Sequence, residues 1–169
     1  MTAALLVIDV QRSLLDEGPW NKEGFMGNIR RLIERARDSD AAVIFLQHTG
    51  VEPDASIDDS LGRMADDLVI RKDFCDSFLG TRLREELQDR GVDKLFVCGM
   101  QTDYCIDTTC RKAASLGYEV ILVNDAHSTF DHDSLAAEKI VSHHNRILRN
   151  LPAGTGSVRT MATAEVGFA

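Results

Sequence analysis

The chain is predicted to fold as an α/β protein with a mostly parallel sheet, and three features predict it. Short apolar runs recur along its 169 residues. Amphipathic segments with helical spacing lie between most of them. The runs are apolar on both faces, which suits strands covered by helices on both sides rather than strands half open to water. The order β-α-β-β-α-β-α-β-α-β then gives a three-layer, doubly wound sheet with helices on both faces.

Each element has its own signal. Residues 3–8 (AALLVI) form the first apolar run, ended by Asp9. Residues 28–37 place Ile29, Leu32, Ile33 and Ala36 on one helical face. Residues 41–46 (AAVIFL) and 68–70 (LVI) supply the second and third strands. Leu79, Leu83 and Leu87 recur at four-residue spacing, and Gly91 stops that helix, expected over residues 79–89. Residues 95–98 (LFVC) form the fourth strand, and residues 104–116 a helix ended by Gly117. Residues 120–123 (VILV) form the fifth strand, residues 134–148 a helix, and residues 157–161 a weaker sixth strand. Two loops, residues 16–27 and 50–67, leave the carboxyl ends of strands, where open α/β sheets bind ligands. The first carries Trp20, as a pocket wall or as ordinary loop packing.

Length and composition bound the function. One domain spanning residues 1–169 is expected, with a core large enough to need no disulfide or metal. Lys and Arg total 19 against 27 Asp and Glu, a net charge of -8. That balance opposes nucleic-acid binding and leaves small neutral or cationic substrates open without selecting among them. The start MTAALLVIDVQ lacks a basic leader and meets Asp9 too early for a signal peptide, and no apolar run reaches the roughly 18 residues of a membrane span. Cys75, Cys98, Cys105 and Cys110 form no CxxC pair. Reduced thiols in a cytoplasmic protein are therefore expected.

Three residues at strand ends carry the candidate chemistry. Asp9 directly follows LLVI, where a carboxylate is costly unless it sits at the open sheet edge with a partner. Lys72 follows the third run in LVIRKDF; taken alone, it reads equally as a surface lysine. Cys105 ends FVCGMQTDYC, a strand, a tight turn and a helix start. Thr102 and Asp103 are good N-cap residues, which would put Cys105 in the first turn. There, unpaired N–H groups favour a thiolate and can donate to an oxyanion. Parallel strands let a carboxylate, an ammonium and a thiol converge at one edge, and the set needs no histidine.

These segments resemble the isochorismatase-like cysteine hydrolase superfamily, which includes nicotinamidases and other amidases. The matching pieces are LLVIDVQ, VIRKDFCDSF and VCGMQTDYCIDTTCRKAASLGYEVILVNDAHST. The resemblance implies a six-stranded parallel sheet in the order 3-2-1-4-5-6 and a triad of Asp9, Lys72 and Cys105. It also implies a cis peptide between Met100 and Gln101, and an oxyanion hole from the N–H groups of Gln101 and Cys105. The implied reaction is hydrolysis of an amide, lactam or carbamoyl C–N bond through a thioester. Two alternatives stay open: vinyl ether hydrolysis, which by resemblance dispenses with the cysteine, and a non-catalytic redox or binding role. Nicotinamidases use a metal held by an Asp and two His. Here His48 stands alone in FLQHTGVEPDASIDDS, so neither a metal nor any other cofactor is expected.

Further pocket candidates are Gln11, which either orients Asp9, lines the pocket or lies at the surface; Phe74 and Tyr104 as apolar wall; and His127 in NDAHSTF, as pocket residue or hydrogen-bonded structural histidine. A small-molecule substrate is expected, with no nucleic-acid or membrane partner. The resemblance adds a homo-oligomer, dimer or larger, as the expected state.

Overall fold

The computed structural model describes residues 1–168. Its centre is one seven-stranded sheet in the order β3-β2-β1-β4-β5-β7-β6. The strands are β1 (Thr2–Ile8), β2 (Ala42–His48), β3 (Leu68–Lys72), β4 (Val92–Met100), β5 (Glu119–Ser128), β6 (Asn150–Ala153) and β7 (Gly156–Met161). The helices are α1 (Arg12–Asp16), α2 (Lys22–Asp38), α3 (Leu83–Asp89), α4 (Asp107–Ser115) and α5 (Ala137–Leu148). All neighbouring pairs run parallel except β6 with β7.

The two-sided apolar runs explain the layering. Leu5 and Val7 of β1 face α2, packing with Phe25, Ile29, Leu32 and Ile33, while Val166 and Phe168 extend the same layer. Ala4, Leu6 and Ile8 face the other way, with Leu83 and Leu87 of α3 and Cys110, Ala113 and Ala114 of α4. Successive residues of a strand point to opposite faces, so one short apolar run feeds two cores. Among the described residues, no helix is long and apolar enough to cross a membrane.

The sheet corrects the expected strand count from six to seven. The expected sixth strand is β7, beside β5; the added strand is β6, antiparallel at the edge. Its four residues include Pro152 and alternate between exposed and half-buried, so it lacks the continuous apolar run that marks the others. Proline is tolerated at such an edge because no neighbour needs its N–H. Helix boundaries also move. α2 begins at Lys22, with Phe25 and Met26 extending its buried stripe, so the second half of the 16–27 loop is helical. Gly24 and Gly27 disguise that start because glycine lowers helix propensity. α3 begins at Leu83, preceded by a turn in which Thr81 Oγ1 donates to Ser77 O at 2.6 Å, and Leu79 stays exposed. α5 begins at Ala137, whose N–H donates to Asp131 Oδ1 at 2.8 Å.

One glycine is required by a close approach beneath the site. Gly99, near the end of β4, has φ 116° and pairs with Ile8 of β1. A Cβ there would fall within 3 Å of the Ile8 backbone O, N and C atoms. Backbone atoms cannot swing aside, so Gly99→Ala is expected to lower stability by about 3 kcal/mol. Chemical denaturation measures this, and a change below about 1 kcal/mol would show that the two strands can separate more easily than their packing implies.

Candidate active site

The carboxyl ends of three strands bring Asp9, Lys72 and Cys105 together. Asp9 follows β1 and turns the chain with φ 51°, while its N–H donates to Leu46 O on β2 at 3.0 Å. A non-glycine residue in the left-handed region is costly, and such residues cluster at functional sites. Lys72 closes β3 and pairs in register with His48 at the end of β2. Cys105 lies in a turn of π-helix, Thr102–Ile106, between β4 and α4. Asp9 and Lys72 are each only 2% exposed and Cys105 8%.

Lys72 Nζ links the other two. It lies 2.7 Å from Asp9 Oδ2 and donates to Cys105 Sγ at 3.3 Å and to Phe74 O at 3.0 Å. An ammonium has three N–H donors, and two of them are spent on Cys105 and Phe74. The approach to Asp9 is close but off the alignment of a good hydrogen bond, leaving both carboxylate oxygens without one. Such a buried carboxylate is a strong proton acceptor. Burial raises the Asp9 pKa above the ordinary carboxylate range, against the pull of Lys72.

Burial also pushes the Cys105 thiol up, with Asp9 adding to the shift and Lys72 opposing it. This corrects the expectation of a thiolate favoured by the helix start alone. In the closed site, loss of water and the facing carboxylate outweigh the nearby ammonium in their effect on the thiol.

The turn before Cys105 differs from the expected capped helix start. The Met100–Gln101 peptide is cis. Gln101 stands at the cap position, and its carbonyl accepts from the N–H groups of Tyr104 at 3.2 Å and Ile106 at 3.1 Å. Thr102 and Asp103 do not cap. Thr102 Oγ1 bonds His127 Nδ1 at 2.8 Å, and Asp103 accepts from Thr129 Oγ1 at 2.6 Å while pairing with His132 at 2.7 Å. A five-residue carbonyl loop has taken the place of side-chain capping, a distortion frequent at functional sites.

Asp9, Met100, Gln101, Tyr104 and Cys105 border a cavity of about 650 Å³. Leu14 and Glu17 form one wall; His48, Gly50, Val51 and Glu52 form another; Cys75, Phe130 and His132 complete it. Of the pocket candidates, Tyr104 lies here. Gln11 is fully buried and binds the loop after β2: its Nε2 donates to His48 O at 3.0 Å and Ala55 O at 2.7 Å, and its Oε1 accepts from His48 N at 2.9 Å. Phe74 offers its carbonyl to Lys72 while its side chain is largely exposed. Trp20 and His127 border a different cavity, of about 750 Å³, against α5. His127 is buried, with Nε2 2.9 Å from Asn145 Oδ1, and burial pushes its pKa down to about 4, so it is neutral near pH 7. The larger cavity holds none of the three strand-end groups; the smaller one holds Asp9 and Cys105, which decides between them.

Sequence reasoning missed His48, Glu17, Glu52, Phe130 and His132 as wall residues. The two strand-end loops pointed to the segments of Glu17 and Glu52 but not to those of His48, Phe130 and His132, and which side chains turn inward depends on loop conformation. Among the described residues, no group of three or more His, Cys, Asp or Glu is placed to hold a metal ion.

The isochorismatase domain family model matches residues 3–149. An uncharacterized isochorismatase family protein, YddQ of Bacillus subtilis, is 36% identical over 146 residues, covering 76% of this chain and 79% of its own. A streptothricin hydrolase of Streptomyces noursei is 34% identical over 139 residues, covering 76% of this chain and 55% of its own. The crystal structure of an isochorismatase from Pseudomonas putida superposes with a TM-score of 0.85 at 26% identity, over 98% of this chain and 90% of that one.

Proposed function

The chain belongs to the isochorismatase family of hydrolases, and from that premise we propose that it hydrolyses a C–N bond of a small molecule through a thioester on Cys105. The amide, lactam or carbamoyl group enters the 650 Å³ cavity with its carbonyl beside the sulfur. Asp9 accepts the Cys105 proton as sulfur bonds to the carbonyl carbon. The resulting oxyanion is held by the N–H groups of Gln101 and Cys105. Collapse breaks the C–N bond, and Asp9 returns the proton to the leaving nitrogen, which departs as ammonia or an amine. Water then attacks the thioester, giving its proton to Asp9; the acid leaves, and the proton returns to sulfur. Protons and electron pairs balance without metal or cofactor.

The observation that carries this reading is Lys72 Nζ, within reach of both Asp9 and Cys105, two residues that line one cavity. It stabilises negative charge wherever the proton sits, on Asp9 before transfer or on sulfur after it. The streptothricin hydrolase relative supports a small-molecule substrate.

The test is a panel of amides, lactams and ureas scored for ammonia or amine release, with intact-mass detection of an acyl adduct on Cys105. Turnover without any adduct under rapid acid quench, together with activity in a Cys105→Ala variant, would sink the covalent route. We extend the proposal to a single domain over residues 1–169, a cytoplasmic location, to which the four free cysteines lend support, and a dimer or larger oligomer, which light scattering checks.

A pH dependence follows from Asp9. The reaction needs the carboxylate, and burial raises its pKa. Activity is therefore lost as pH falls through that raised value, above the roughly 3.9 of an ordinary aspartate. A kcat/KM profile shows this acid limb, and one falling only near the ordinary value would contradict Asp9 as the base.

A further inference from the structure

We propose that the cavity selects substrates carrying a positive charge, an ammonium or guanidinium group near the scissile carbonyl, and that Glu17 and Glu52 receive it. The inference rests on the cysteine hydrolase reading only for where the reacting carbonyl sits.

Charge accounting at the wall supports it. Glu17 follows α1 and Glu52 lies in the loop after β2, so two separate segments bring carboxylates to one cavity. Among the described residues neither takes part in an ion pair, although ten such pairs form in the molecule, two of them through Asp9 and His132 of this cavity. No lysine or arginine lines the cavity among those residues. The nearest ammonium, Lys72, does not line the cavity; it is ion-paired with Asp9 and donates to Cys105 and Phe74. His132 is already paired with Asp103. A substrate carboxylate would meet two like charges and no lysine or arginine, whereas a cation would find two carboxylates outside any ion pair.

The aromatic wall is an independent observation pointing the same way. Tyr104 and Phe130 border the cavity, and Tyr104 is about half exposed. The face of an aromatic ring attracts ammonium and guanidinium groups and repels carboxylates. The net charge of -8 adds a long-range pull on cations but acts over the whole surface, so it must be separated from the local effect.

Thiol-modifying probes of defined charge make the separation without knowledge of the substrate. Cys105 is labelled with methanethiosulfonate ethylammonium and, in parallel, with methanethiosulfonate ethylsulfonate, at low ionic strength. Peptide mapping distinguishes it from Cys75, and each rate is divided by that for free 2-mercaptoethanol. The expected cation-to-anion ratio at Cys105 is on the order of 10-fold above the free-thiol ratio, diminished by added salt. It should collapse toward the free-thiol ratio in Glu17→Gln/Glu52→Gln. It should persist in Asp38→Asn/Asp89→Asn, which removes the same charge from exposed positions just ahead of β2 and β4, at the opposite sheet edge. Parity of the two probes in the parent protein, faster labelling by the sulfonate, or an undiminished ratio in the glutamate variant would each overturn the proposal. Because labelling needs only an accessible sulfur, such a failure would leave the hydrolytic reading intact. That reading fails separately, if Cys105→Ala turns over.

Discussion

Cys105→Ala is expected to reduce C–N hydrolysis on the order of 10⁴-fold or more while the folded state persists. The expectation follows from placement. In the proposed reaction Sγ is the nucleophile; it borders the cavity within reach of Lys72 Nζ, and removing it removes the bond that would form. Little else depends on it structurally. Cys105 sits where the π turn is held by the Gln101 carbonyl, which accepts from Tyr104 and Ile106 rather than from the thiol. The variant should keep its circular dichroism spectrum and unfold within a few degrees of the parent. Cys105→Ser should also be nearly inactive, because an alkoxide is far harder to form beside Asp9 than a thiolate. If Cys105→Ala instead hydrolyses a vinyl ether, Asp9 acts as a proton donor and the thioester route falls.

Lys72→Met should cost both activity and stability. Its ammonium is buried against a carboxylate with no other hydrogen bond, and breaking a buried pair leaves an uncompensated charge costing about 3–5 kcal/mol. The loss should depend on pH in a defined sense. Without Lys72 the Asp9 pKa rises further, so the stability deficit is present above that value and diminishes as pH falls through it and the carboxyl becomes neutral. Denaturant titration at neutral and mildly acid pH reads this directly. Lys72→Met/Asp9→Asn should recover much of the stability without recovering turnover, because it removes the orphaned charge together with the base. A double variant as unstable as Lys72→Met would show that lysine packing, not charge pairing, holds this corner.

The centre of the molecule was legible in sequence because burial on both faces leaves a continuous apolar record. Ala4 to Ile8 serve two cores at once, so no polar residue interrupts them before Asp9. β6 left no such record: its four residues lie at an edge, half in water, and only pairing with β7 defines them. The convergence of Asp9, Lys72 and Cys105 followed from parallel strand order combined with family motifs. Lys72 by itself looked like a surface residue, and only the register of β2 with β3 shows that it is buried. The electrostatics were less accessible. The fragment TDYC indicates a capped helix and an acidic thiol, but Thr102 is drawn away by His127 and Asp103 by His132 and Thr129. Those partners come from β5 and the segment after it, more than twenty residues downstream, beyond the reach of local pattern. His127 reads in sequence as either a pocket residue or a hydrogen-bonded structural histidine; the structure places it outside the cavity of Asp9 and Cys105, with hydrogen bonds on both ring nitrogens.

The cavity divides unevenly between two kinds of chain. Asp9, Lys72 and Cys105 stand at or just beyond strand ends, where the close packing of Ile8 on Gly99 locks β1 against β4. Glu17, Val51 and Glu52 belong to connecting segments with no strand register to preserve. On the proposed reading, bond breaking and substrate choice are therefore separable in heredity. Mutations in residues 50–58 can re-tailor what is admitted while the reacting groups keep their spacing, and one scaffold can diversify through its connecting segments alone.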